Sequence, residues 1–165
     1  MQNRKISFSD ISKDIINTKK FEDLKKENHH GLTRYVHVMR VSKFTYKLSK
    51  LLHMDYISAT RAALLHDYYT SSDLENIKEF KKLNLHPSIA SKNALLEFDL
   101  NEIEKNAIES HMFPMGKKLP KYKESWLLTF VDKSVATYEQ VNFKCRNAIA
   151  LYMLFLINML LFGQK

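Results

Sequence analysis

Six side chains of this 165-residue chain have the right types to hold a metal together: His37, His66, Asp67, His86, His111 and Asp132. Imidazole and carboxylate donors with no thiolate among them suit a divalent transition metal (Fe, Mn, Zn, Co or Ni) better than a structural zinc site. Taken singly, each has an ordinary explanation, and a His-Asp dipeptide arises often by chance. Placement is what joins them. His37, His111 and Asp132 fall on the apolar stripes of three different expected helices, His66-Asp67 ends a helix of small residues, and His86 begins another. Buried polar groups on several helices are costly unless they converge on one another or on an ion.

His37, His66, Asp67 and Asp132 offer four ligands for one ion, with positions left for water and substrate. His86 and His111 extend the set to a second ion, with Asp67 as the bridging carboxylate. Two close ions can clamp and deprotonate a water for in-line attack on phosphorus. His53, in Leu52-His53-Met54-Asp55, reads as an exposed loop residue outside the set.

Periodicity supplies the elements that must position these groups. Residues from about Ser7 to Lys26 carry Ile11, Ile15, Ile16 and Phe21 at near-helical spacing, with Ser9 as the expected cap. Glu27 to Gly31 reads as a loop holding His29 and His30. A helix from about Thr33 to Leu52 places His37, Val41, Phe44, Leu48 and Leu51 or Leu52 on one stripe. The next helix, capped by Ser58, runs through Ala62, Ala63, Leu64 and Leu65 to His66-Asp67. After a mixed stretch, His86-Pro87 is expected to open a helix with Pro in its first turn. Asn101 starts another that reaches His111 and stops at Met112-Phe113-Pro114. A basic loop, Lys117 to Lys123, leads into a helix from about Glu124 to Val141, on which Leu128, Asp132, Val135 and Glu139 share a face.

A final apolar helix, about 146–162, is too short for the roughly 20 residues that span a bilayer. Its stretch Ala148 to Phe162 is expected to pack on the domain or form a homo-oligomer contact, with a weak membrane contact as the other reading. The totals agree with an all-α, single-domain helical bundle. Only three Gly and three Pro occur, which disfavours turn-rich β architectures. The lone Cys145 permits no internal disulfide, and Met1 to Ile6 lacks a secretory core, so a cytoplasmic setting is expected. The net charge of +8 favours anionic partners. No run of Arg and aromatics marks a nucleic-acid platform, so specific nucleic-acid binding is not expected.

In its order of ligands the chain resembles the HD superfamily of metal-dependent phosphohydrolases. Leu32-Thr33-Arg34-Tyr35-Val36-His37 looks like that family's first-helix histidine segment, and Arg61-Ala62-Ala63-Leu64-Leu65-His66-Asp67 matches its Ala-x-Leu-Leu-His-Asp signature. His86-Pro87, Ala107-Ile108-Glu109-Ser110-His111 and Phe130-Val131-Asp132-Lys133 look like its later histidines and last aspartate. The resemblance covers about His30 to Val141 and implies an HD-type bundle with a metal-binding core at about 30–141.

The six-ligand version resembles branches with a two-metal centre, including the symmetrical dinucleoside tetraphosphate hydrolases. Met112 follows His111 where that branch carries Thr, and the Gly-Tyr-Pro tripeptide of the cyclic dinucleotide branch is missing. The pattern looks closest to small bacterial HD proteins. It implies His37, His66, Asp67 and Asp132 as core ligands, with His86 and His111 as second-metal ligands or phosphate contacts. Asp67, Lys133 and Arg34 would be the catalytic set, the two cations holding substrate phosphate, and Lys117, Lys118 and Lys121 could help attract the anion. The expected activity is hydrolysis of a phosphate ester or anhydride, the substrate a nucleotide. A di-iron oxygenase and a non-catalytic ligand-sensing module are the alternatives.

Overall fold

The structure, a computed structural model, describes residues 6–29, 31–75 and 77–162. Met1–Lys5 and His30 therefore lie outside the described residues. Seven α-helices carry the fold among those described: α1 (Phe8–Ile16), α2 (Lys19–Asp23), α3 (Arg34–Leu51), α4 (Tyr56–Leu65), α5 (Glu79–Glu97), α6 (Glu102–Ser110) and α7 (Lys123–Phe162). The fold is all-α but for a ladder of two-residue strands, β1 (Asn28–His29) and β2 (Leu32–Thr33), paired antiparallel where the sequence reads as loop. Gly31 turns that ladder with φ +82°, and a Cβ there would overlap the Phe143 ring of α7. Its missing side chain is thus required twice, by conformation and by contact.

Local chemistry sets the helix starts. Ser7, not Ser9, caps α1: its hydroxyl accepts from Asp10 N–H while the Asp10 carboxylate accepts from Ser7 N–H. The expected helix to Lys26 is divided, because Thr18 caps α2 by accepting from Phe21 N–H. Thr33 caps α3 and Asn101 caps α6. For α4 the cap is Asp55, which accepts from both the backbone and the hydroxyl of Ser58, so Ser58 lies one turn inside the helix. In each case a side-chain oxygen of the cap accepts from a backbone N–H of the first turn.

Three other expectations are corrected. His86-Pro87 does not open α5, which begins at Glu79 and carries Pro87 in its interior. The buried stripe of α3 runs through Arg34, His37, Val38, Val41, Ser42, Thr45 and Ser49, while Phe44, Leu51 and Leu52 are exposed. The stripe lies further round the helix than hydrophobicity alone places it, because the hydroxyl-bearing Ser42, Thr45 and Ser49 are fully buried. The two expected C-terminal helices are one continuous helix of 40 residues, α7.

Helix α4 is the centre of the bundle. It packs against α1, α3, α5, α6 and α7, and Ala59, Ala62, Ala63, Leu64 and Leu65 are fully buried. The alanines let neighbouring helices approach closely enough for their polar groups to meet at its C-terminal end. From the middle of α4, Arg61 ties three helices together, bonding Glu104 of α6 at 2.7 Å and Asp14 of α1 at 3.0 Å.

Candidate metal centre

The centre sits where α4 ends. His66 is the residue after its last turn and Asp67 follows it. His37 comes from the first turns of α3, His86 from α5, His111 from the residue that ends α6, and Asp132 from α7. All six expected ligands are buried and form two groups. In one, ligand atoms of His37, His66 and Asp132 lie within 4.8 Å of one another; in the other, those of Asp67, His86 and His111 do.

The closest approaches are His37 Nε2 to Asp132 Oδ1 at 3.0 Å, His66 Nε2 to Asp132 Oδ1 at 3.5 Å and His86 Nε2 to His111 Nε2 at 3.0 Å. Asp67 spans the groups: Oδ2 lies 3.9 Å from His66 Nε2, while Oδ1 lies 3.5 Å from His86 Nε2 and 3.8 Å from His111 Nε2. Two donors each about 2.1 Å from a shared ion stand roughly 3.0–3.4 Å apart. The observed separations are of that order.

All four imidazoles turn the same nitrogen inward. His66 Nδ1–H donates to the Ala63 carbonyl at 2.8 Å, and His111 Nδ1–H to the Ile108 carbonyl at 2.7 Å. Both carbonyls belong to last helical turns, where no backbone N–H of the same helix can reach them. The His86 Nδ1–H donates to the Lys82 carbonyl at 3.2 Å. His37 instead uses a carboxylate, with Nδ1 2.8 Å from Glu139 Oε2. Each Nε2 is left facing the carboxylates, and His66 Nε2 is buried with no hydrogen-bond partner. A buried orphan nitrogen costs free energy that a metal would recover, so the donor set fits a divalent ion.

Burial works against charge on His37, but hydrogen bonds to Asp132 and Glu139 win and raise its pKa to about 10. For His66 burial is likewise outweighed, by the carboxylates of Asp67 and Asp132. In the other group burial prevails. It lowers His86 and, reinforced by the charge of neighbouring imidazoles, takes His111 down to about 3. Asp132 stays ionised despite burial, because His37 and His66 hold its pKa well below the usual carboxylate range.

Beside the ligands opens a cavity of about 690 Å³. Asp67, His86, His111 and Asp132 line it, whereas His37 and His66 lie deeper. Its cations are Arg34, Lys82 and Lys133, and its apolar walls include Tyr69, Leu74, Met112 and Met115. Arg34 stacks 4.0 Å from the Tyr69 ring centre, donates to the Tyr69 carbonyl at 2.9 Å, and holds Nε 4.0 Å from Asp67 Oδ2. That Nε is buried and makes no hydrogen bond. Lys133 gives one proton to the His111 carbonyl at 2.8 Å, leaving two for a ligand.

Residues 34–137 match the family model of the HD domain. The chain belongs to the HD family. HD domains form a superfamily of metal-dependent phosphohydrolases, all-α and binding divalent metals. No curated protein and no solved structure matches the chain.

Within this HD domain, Lys117, Lys118 and Lys121 are exposed and do not line the cavity; Lys118 pairs instead with Glu109. His53 is exposed, at φ 50°. Sequence reading missed Lys82, Tyr69 and Glu139 as neighbours of the site. For Glu139 a signal existed: it shares the buried face of Leu128, Asp132 and Val135, and a carboxylate there needs a partner.

Proposed function

We propose that the chain hydrolyses a phosphate ester or anhydride, with a nucleotide as substrate. The observation that carries this is the joining of two buried His/Asp groups through the two oxygens of Asp67, at the floor of a cavity flanked by cations. His37, His66, Asp67 and Asp132 would hold one ion, and Asp67, His86 and His111 a second. A divalent ion there supplies Lewis acidity, acidifying water and screening phosphate charge.

The chain's own residues do the rest. Arg34 offers a guanidinium already fixed by stacking and by the Tyr69 carbonyl, so little side-chain freedom is lost when it grips a phosphate oxygen. Lys133 presents its free protons to the same anion, and both cations stabilise charge that grows on oxygen in the transition state. The cavity volume, about 690 Å³, lies in the range of small-molecule sites. Leu74 and the methionines Met112 and Met115 give a base or similar apolar group a surface in the same cavity.

The test is release of inorganic phosphate or nucleotide by the metal-loaded protein across nucleotides and phosphoesters. Turnover that requires a divalent metal is expected, and His66→Ala and Asp67→Ala should lower it by more than about 100-fold, since changes even one shell further out cost that much. Their circular dichroism should remain helical. Absence of turnover with every metal and substrate class would refute the reading. Iron-dependent oxygen consumption without phosphate release would point to an oxygenase instead.

A further inference from the structure

Three of the four site histidines are oriented by carbonyls of their own helices. His37, the fourth residue of α3, is oriented differently. Its Nδ1 partner comes from another helix: Glu139 of α7, whose side chain has 0% exposure. The second oxygen of that carboxylate is gripped by Arg40 at 2.8 Å, one turn along α3 from His37. Arg40 and His37 thus hold Glu139 from both sides, so its carboxylate cannot turn away without breaking a second charged bond. Burial raises the Glu139 pKa, but His37 and Arg40 lower it further and keep it ionised.

We propose that Glu139, clamped by Arg40, is a positioning residue that fixes His37 as an Nδ1–H donor with Nε2 presented for metal binding. The inference rests on the reading that these groups hold a metal. Without Glu139 the ring has nothing to accept its Nδ1 proton. The ring can then turn over or carry its proton on Nε2, where it blocks the ligand position. Histidine ligands held by an outer carboxylate depend on it in this way. The effect is confined to the ion held by His37, His66 and Asp132, because the two carboxylate oxygens of Glu139 bond His37 and Arg40.

The test uses full-length protein stripped with a chelator and titrated calorimetrically with Mn²⁺ or Co²⁺. Glu139→Gln, which keeps an acceptor oxygen, should weaken binding of one ion by about 10-fold, and Glu139→Ala by about 100-fold. Arg40→Met should fall between Glu139→Gln and the unaltered chain. As a structural control, Glu104→Gln alters a buried carboxylate that serves Arg61 and the α6 cap, and it should leave affinity unchanged. In the metal-free protein, imidazole ¹⁵N shifts followed through the His37 titration should show Nδ1 keeping its proton while Nε2 loses its own, and Glu139→Gln should shift the remaining proton toward Nε2.

Metal affinity unchanged in both Glu139 variants would overturn the proposal, as would equal weakening by Glu104→Gln. If the unaltered chain binds no metal, the reading of the site fails instead. The ¹⁵N signal then still decides the role of Glu139.

Discussion

At each site histidine one nitrogen faces inward while the other donates to a fixed acceptor, so ring orientations are set before any ligand arrives. Protonation differs between the two groups. His111, held down at about 3, is a neutral ligand at any physiological pH. His37, raised to about 10 by Asp132 and Glu139 against its burial, must lose its second proton to bind an ion. Metal affinity should therefore rise with pH between about 6 and 9, by up to about tenfold per unit for each proton displaced. Calorimetry in buffers of different protonation enthalpy measures that release directly, and a pH-independent affinity would contradict the assignment.

The metal-free protein should show the opposite trend. A folded-state pKa above the unfolded value, 6.5 to about 10 for His37, means a stabilisation fully present below 6.5 and lost as pH rises toward 10. Denaturant midpoints of stripped protein should fall across that window. Among the cations, Arg34→Lys should raise KM and lower kcat/KM by roughly 10- to 100-fold, because lysine keeps the charge but loses the planar stacking and forked donors.

Helix α4 shows what an element contributes. Its alanines and leucines are buried all round, and its C-terminal end delivers two ligands. Leu64→Ala should cost about 2–5 kcal/mol through a cavity next to the centre, and Asp55→Ala about 1 kcal/mol through the lost cap, both read from urea unfolding. At this scale the sequence was legible where hydrophobic period and chemistry agreed. The burial of His37 and Val41 on α3, the end of α4 at His66-Asp67, and the Leu128, Asp132, Val135, Glu139 face of α7 are all present.

Legibility failed where tertiary packing overrode local signals. Pro87 reads as a helix opener, yet α5 begins at Glu79 and carries it in the interior. Phe44 and Leu51 read as core by type, but α3 turns Thr45 and Ser49 inward instead. The shared face with Asp132 marks Glu139 as a carboxylate in need of a partner, but the fold identifies the partners, His37 and Arg40 of α3.

For the whole molecule, the HD-type core and its cavity end near Gln140, while α7 continues. Beyond that point Ile149, Leu151, Met153 and Leu154 are exposed, so the expectation that this stretch packs on the domain does not hold for those side chains. No helix among the described residues is long and apolar enough to cross a membrane. We propose a homo-oligomer contact for this stretch, since exposed apolar faces of this kind mark interaction sites. Truncation before Arg146 should change the oligomeric state in sedimentation from multimer to monomer while metal content and turnover persist. An unchanged number of subunits would reject the contact.

The central claim is that these six side chains form a metal centre, and anomalous diffraction from metal-loaded crystals tests it most directly. The account predicts an anomalous peak within bonding distance of His37, His66 and Asp132, and a second beside His86 and His111 with Asp67 between the two. Crystals of metal-loaded protein with no peak among these side chains would contradict it.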